Sequence, residues 1–490
     1  MENKRQIVWQ SVLFTGSRYI EEAINAIRGF TIAFVLGPEG YGIWHIIKIV
    51  YMFGEQTGLG TTSAMVREVA YYNSPSPVDK ALVKRYQQTA LTFGFAFSTF
   101  VATLGLIAYL QFFDALYPTE AILTAIAFFL SFSYLFARSK LQSENQLIQI
   151  VKISLGFVIL NSLIGLSLLI FMSLQGLLLG VILSYLGVFL FLVFRKRLSI
   201  KLYIDFRILK KLLTIGLPML FVSISGLLAY RVDSIIVYSM LGEELTGYYG
   251  LAVFIVIIIS NIPNSISYVI FPKMMQDMKQ KGEADVVARY IKKATVAVLC
   301  MLPLLLGLIF INIKPMLTLA MNEYVAAVFC LQILIIGMYF FSLQNLYANA
   351  LIAMDKQLMA ATIQGIIVSV GGLVDVLVIL AGYSIEGVAI ATALTFYTLF
   401  ISTAVYAMVT WGSRPKKIQL SLAVLHLKFL YFLGSLWFVM WVVSNDSASI
   451  LTSLHQSVIY VLFTIPLLIL EAQKEFQILQ RIIAMRNREK

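Results

Sequence analysis

The sequence predicts an all-α polytopic membrane protein of about fourteen transmembrane helices, and three observations predict it. Of 490 residues, 60% are hydrophobic and 13% charged, with a mean hydropathy of +0.86, where a soluble domain carries about 25% charged residues. Apolar runs longer than about 18 residues recur from end to end, each long enough to cross a hydrocarbon core of about 30 Å as a helix. Lysines and arginines fall on alternate connections between the runs, the pattern that retention of positive charge in the cytoplasm produces. Composition excludes a water-soluble enzyme. The formal charge of +12 is mostly this topological signal, so no nucleic-acid partner is expected.

The spans read in order as 12–36, 41–64, 89–112, 119–138, 147–171 and 175–194, then 212–241, 247–271, 294–313, 321–344, 357–381 and 385–410, and finally 428–445 and 449–470. The first is broken by charge, unlike the clean apolar core of a secretory signal, and is expected to be retained. With the N-terminus in the cytoplasm, 32 of the 37 Lys and Arg residues lie on cytoplasmic segments. One, Lys314, lies in an outer loop, and Arg18, Arg28, Lys48 and Arg231 lie inside spans. Both termini are therefore expected on the cytoplasmic side. The outer turns are short, and no extracytoplasmic domain is expected. The connections 73–88 and 276–293 are amphipathic and are expected to lie on the membrane surface, the first capped by Ser76 before Pro77 and Asp79.

An internal duplication follows from recurring turns. LGPEGYG at Leu36 to Gly42 is answered by LGEELTGYY at Leu241 to Tyr249, an offset of about 205 residues. Ala137 with Gln146 and Leu147 matches Ala348 with Gln357 and Leu358, and SLQG ending at Gly176 matches SIEG ending at Gly387, all offset by 211. The organisation is thus an N-lobe of six spans over residues 1–200, a C-lobe of six over 201–411, and two further spans with a basic tail over 412–490.

Charged residues inside spans are costly and call for a partner or a wet cavity. In the first span Arg18, Glu21, Glu22, Asn25 and Arg28 recur at helical spacing; in the second, His45, Lys48, Met52 and Glu55 do so. Neither stripe tolerates lipid. The seventh span adds Arg231 and Asp233, which on a continuous helix stand about 200° apart. A polar, partly cationic cavity at the interface of the bundles is the expectation; cancellation of these charges within and between neighbouring helices is the alternative. Asp375 stands alone in the eleventh span beside Gly371 and Gly372, either sensing a cation or held by a neighbouring helix. Pro218, Pro263 and Pro303 interrupt spans as hinges or static kinks. Cys300 and Cys330 lie in apolar runs and read as packing residues. No phosphate-binding glycine loop, metal-ligand spacing or catalytic cluster is present, so neither an enzyme nor a bound metal or cofactor is expected.

With these residues in view, the chain resembles the multidrug/oligosaccharidyl-lipid/polysaccharide exporter (MOP) superfamily, specifically its polysaccharide branch of O-antigen-flippase-like proteins. The resemblance rests on LGPEGYG followed by GLGTTSAMVREVA, on IGLPMLFVSISGLLAYRVDSIIVYSMLGEELTGYYGLAVF with ISYVIFPKM, and on GYSIEGVAIATAL. It implies two six-helix lobes forming a V, alternating access, and transfer of an undecaprenyl-diphosphate-linked oligosaccharide from the inner to the outer leaflet of a bacterial cytoplasmic membrane. It also implies a basic central cavity, here Arg18, Lys48, Arg231 and Arg28, matched by helix and not by an invariant motif. Glu21, Glu22, Glu55, Asp233 and Asp375 are the candidates for coupling to protons or sodium, with membrane potential as a further drive. A polysaccharide polymerase and chain-length machinery are the implied partners. A multidrug cation antiporter of the same fold, a membrane glycosyltransferase or polymerase, and a non-transporting envelope scaffold remain the alternative classes.

Overall fold

A computed structural model describes residues 2–72, 77–112, 117–144, 146–195, 201–281, 283–443 and 450–465. The described residues are helical almost throughout, and ten segments among them are long and apolar enough to cross a membrane. The chain is a multi-pass membrane protein. It forms two compact units, Met1–Gly250 and Leu251–Lys490.

The first unit opens with α1 (Glu2–Phe53), far too long for one crossing, which breaks at Gly37 (φ 67°, ψ 178°) into two legs that are the first and second spans. That backbone region is accessible essentially to glycine alone. The second leg passes through a 3-10 turn, Gly54–Gly58, into α2 (Thr61–Tyr72). Then come α3 (Pro77–Phe112), α4 (Pro118–Ser143) and α5 (Leu147–Phe194), the last broken at Ser173 into the fifth and sixth spans. The seventh span is divided into α6 (Phe206–Leu228) and α7 (Val232–Leu241), and α8 (Glu243–Lys281) starts in this unit. A core of Met65, Leu91, Phe132, Ile153, Leu192 and Leu212 joins α2 through α6. α6 belongs to this unit because it lies against α2: Gly60 and Gly216 meet backbone to backbone, and Lys211 pairs with Glu68.

The second unit holds the rest of α8, then α9 (Glu283–Ala320), α10 (Ala327–Ala353), α11 (Gln357–Leu380), α12 (Ile385–Thr410), α13 (Pro415–Val442) and α14 (Ile450–Ile465). α10 is its buried centre, and Tyr339 of α10 stacks on Phe432 of α13 at 5.9 Å between ring centroids. α14 packs on α9, where Gly307 leaves room for the Tyr460 ring and the Tyr460 hydroxyl donates to the Pro303 carbonyl at 2.6 Å. Large apolar side chains such as Phe171, Phe194, Leu380 and Leu451 are exposed on the helix surfaces. In lipid that surface is the solvated one.

Several expectations change. The amphipathic connections are not separate surface helices: α3 runs unbroken from Pro77 into its span, and α8 and α9 run on to Lys281 and from Glu283. A helix that emerges from the bilayer keeps its hydrogen bonds by continuing, so charge marks where it leaves and not where it ends. Arg231 and Asp233 do not share a continuous helix, because Tyr230 and Arg231 form the break between α6 and α7 and Arg231 is the N-cap of α7 (φ −133°, ψ −22°). The angular separation expected of them therefore does not apply. Cys330 is buried in α10. The cap at Ser76, the side chains of Cys300 and Pro263, and the basic tail beyond residue 465 lie outside the described residues.

The duplication has a direct structural counterpart. Gly37 and Gly242, 205 residues apart, adopt the same glycine-only conformation (Gly242 φ 89°, ψ −172°), each turning one helix into the next. The two turns also meet. A Cβ at Gly42 would overlap the Glu243 carbonyl, and one at Gly247 would overlap the Pro38 carbonyl, a reciprocal contact between equivalent positions.

Candidate functional site: a cationic cluster

The break at Gly37 folds the second leg of α1 back beside the first, so residues far apart along the helix become neighbours. Arg28 is 7% exposed, with its guanidinium carbon 5.8 Å from the centroid of the Trp44 ring. Its Nε and Nη2 have no hydrogen-bond partner among the described residues, and no carboxylate there forms an ion pair with it. Nη2 faces Gly165 of α5, as does the Asn161 Oδ1, which also has no partner there. Beside Arg28, the half-buried Lys48 ammonium lies within electrostatic reach of Arg28, Arg231 and Glu22. Arg231, held at the N-cap of α7, lies within electrostatic reach of Asp233, Tyr41, Tyr51 and Tyr230. Buried His45, packed under Gly250, feels Arg231 and Lys48.

Lys48 thus lies within electrostatic reach of both Arg28 and Arg231, which groups cations of the first, second and seventh spans in the first unit, with Trp44 against Arg28 and Tyr51 within reach of both arginines. Arg18 is not among them: it is exposed on the first leg and pairs with Glu21 at 3.5 Å. The carboxylates are similarly divided. Glu22 faces Lys48, whereas Glu21 and Glu55 both lie in the field of Arg138 on α4. Asp233 accepts from the Tyr249 hydroxyl at 2.5 Å and from the Ser234 amide at 2.7 Å, which ties α7 to α8. Asp375 is buried on α11 in the second unit. No group of residues able to hold a metal ion occurs among the described residues.

Sequence reading missed Arg138, Asn161 and the tyrosines. Arg138 sits where a span meets a basic connection and reads there as a topological charge. Asn161 and Tyr185 lie in apolar runs with no periodic companion. Only the packing of α5 against α1 gives them a role.

A family model for polysaccharide biosynthesis proteins matches residues 8–278, more than half of the chain and including every residue of the cluster. The chain belongs to the polysaccharide biosynthesis protein family. Among solved structures, this family member is similar to the lipid II flippase MurJ in an inward closed conformation (TM-score 0.70, 15% identity, 92% of this chain and 98% of that one). It is also similar to an inward-facing multidrug resistance MATE family transporter (TM-score 0.61, 13% identity, 80% and 94%). A third match is a MOP transporter from Pyrococcus furiosus described as having a binding pocket of reversed polarity (TM-score 0.53, 16% identity, 83% and 95%). At these identities the likeness is one of fold. No curated protein sequence matches the chain significantly. These structural neighbours are a flippase and transporters.

Proposed function

We propose that this family member is a flippase that carries an undecaprenyl-diphosphate-linked oligosaccharide from the inner to the outer leaflet of a bacterial cytoplasmic membrane by alternating access, for cell-surface polysaccharide such as O-antigen. The observation that carries this reading is the grouping of Arg28 and Arg231 around Lys48, with two guanidinium donors of Arg28 unpartnered among the described residues. A diphosphate head bears at least two negative charges, and moving it through hydrocarbon without compensation costs many kcal/mol. Fixed cations replace its water, and guanidinium suits the paired phosphate oxygens. The tyrosines and Trp44 add stacking faces for sugar rings, while the polyprenyl tail remains in lipid.

Reset of the carrier draws on protons, sodium or membrane potential through some of Glu21, Glu22, Glu55, Asp233 and Asp375. A polymerase and chain-length machinery receive the product. The cluster, being cationic, disfavours the organic cations that a multidrug antiporter exports.

Native mass spectrometry of the gently purified protein tests the reading. Wild type should retain an isoprenoid-diphosphate saccharide, and Arg231→Gln or Lys48→Gln should retain roughly tenfold less or lower, since a charge-assisted hydrogen bond contributes about 1.5–3 kcal/mol. Retention of organic cations by wild type, with no anionic saccharide lipid, would overturn it in favour of the antiporter.

A further inference from the structure

On the face of the second leg of α1 opposite the cationic cluster lies a cavity of about 490 Å³ that the transport reading does not use. Ile43, Ile46, Ile47 and Val50 form its floor at the spacing of a single helical face. Its walls are kept apart by small residues, Ala102, Gly105 and Ala108 of α3 and Ala121 and Ala125 of α4. It is entirely within the first unit.

The cavity is polarised along its length. Ile43, Tyr109, Tyr117 and Tyr238 lie at the end where α3 gives way to α4 and α7 to α8; Val50, Val101 and Phe128 lie at the other. From Tyr117 to Phe128 is roughly 16 Å of helix at 1.5 Å per residue, about half of a 30 Å hydrocarbon core. The cavity therefore has the depth of one leaflet. Between Ile47, Val50, Val101 and Phe128 the side chains offer no hydrogen bonds, so that apolar part of the cleft does not favour water.

Its mouth is acidic. Glu120 lines it and accepts from Gln175 at 3.1 Å, leaving carboxylate lone pairs unused. Glu243 stands behind the tyrosines, accepting from Tyr117 at 3.1 Å and engaging Tyr238. No lysine or arginine lines the cavity among the described residues. Such a rim repels a diphosphate or an anionic phospholipid and attracts an ammonium group.

We propose that this cleft binds one acyl chain of a zwitterionic, ammonium-headed membrane phospholipid, with the chain along Gly105 and the ammonium at Glu120 and Glu243. The site is separate from the cationic cluster and independent of what that cluster carries.

Gly105 supplies the test, because a Cβ there meets no atom within 4 Å. Gly105→Leu fills the cavity from an open position and replaces a glycine in a helix, so it is expected to fold. The full-length protein is reconstituted in nanodiscs of equal phosphatidylethanolamine and phosphatidylglycerol, extracted into detergent, and its retained lipid is quantified by mass spectrometry. Its thermal midpoint is then measured with each lipid added back. Wild type should retain phosphatidylethanolamine over phosphatidylglycerol and be stabilised by it. Gly105→Leu should lose roughly tenfold or more of the retained lipid and the stabilisation, since each excluded methylene contact weakens binding severalfold. Glu120→Gln should keep a bound chain and lose the headgroup preference. Equal retention of phosphatidylethanolamine by wild type and Gly105→Leu, or a wild-type preference for phosphatidylglycerol, overturns the proposal. If Gly105→Leu does not fold, the headgroup preference of Glu120→Gln decides alone: an unchanged preference overturns it.

Discussion

Arg28 is a cation with no ion-paired carboxylate among the described residues. Only 7% of it is exposed, two of its nitrogens have no partner among the described residues, and its polar surroundings there are tyrosines, Asn161 and Lys48. Leaving a charge buried without a partner costs several kcal/mol, whereas an apolar residue of similar length removes that cost. Arg28→Met is therefore expected to raise the thermal midpoint of the ligand-free protein, by an amount corresponding to about 1–4 kcal/mol, while reducing retention of the anionic lipid. Differential scanning fluorimetry beside native mass spectrometry reads both. A fall in stability would show that Arg28 is fixed by structure and not kept for a ligand. Stability given up at a site is the usual mark of function.

At the scale of elements, two contacts hold α6 and α7 to α1 and α2. At one end the repeat-related turns interlock through Gly42 and Gly247, each against a backbone carbonyl of the other turn. Gly42→Ala or Gly247→Ala places a methyl where that carbonyl stands, so the contact cannot close. Cysteine pairs across the turns should then cross-link with markedly lower yield than in wild type, while each helix keeps its circular dichroism. Cross-linking at the wild-type yield would refute the interlock. At the opposite end Lys211 of α6 reaches Glu68 of α2 and Tyr86 of α3, with the Lys211 Nζ 3.2 Å from the Tyr86 hydroxyl. Glu68 is nearly buried and Lys211 is not, so removing the lysine takes away the counter-charge of a carboxylate that keeps the Tyr86 hydroxyl at 3.4 Å, while removing both charges leaves no uncompensated charge. Lys211→Met should cost about 1–3 kcal/mol, and adding Glu68→Gln should recover much of it. Thermal unfolding of the two single variants and the double variant measures the coupling.

Across the whole molecule, the distribution of positive charge predicts which ends of the helices face the cytoplasm. In a cysteine-free background, a cysteine at Ser384, in the turn between α11 and α12, should react with a membrane-impermeant maleimide in intact cells. One at Lys281, between α8 and α9, should react only after permeabilisation. The reverse pattern would invert the topology and, with it, the direction assigned to transport. Fourteen apolar runs were legible one by one because each must satisfy its own backbone hydrogen bonds in lipid, which leaves a local imprint of length and hydropathy. The duplication was legible for a similar local reason: Gly37 and Gly242 hold a conformation that other residues avoid, so the turn motif is written twice.

The chain by itself determined the all-helical membrane fold, the repeat, and the identity of Arg28, Lys48 and Arg231 as charges that hydrocarbon alone does not tolerate. Tertiary structure decided which of those charges meet. Arg18 and Arg28 sit on one leg of one helix, yet the break at Gly37 and the packing of α5 bury Arg28 and leave Arg18 exposed beside Glu21. The break at Arg231 likewise releases it from the angular relation to Asp233 that a continuous helix would impose. Periodicity reports which face of a straight helix a residue occupies. Where helices break at single residues and fold back, the neighbours are chosen by the contacts across the break, and those are not written in the local sequence.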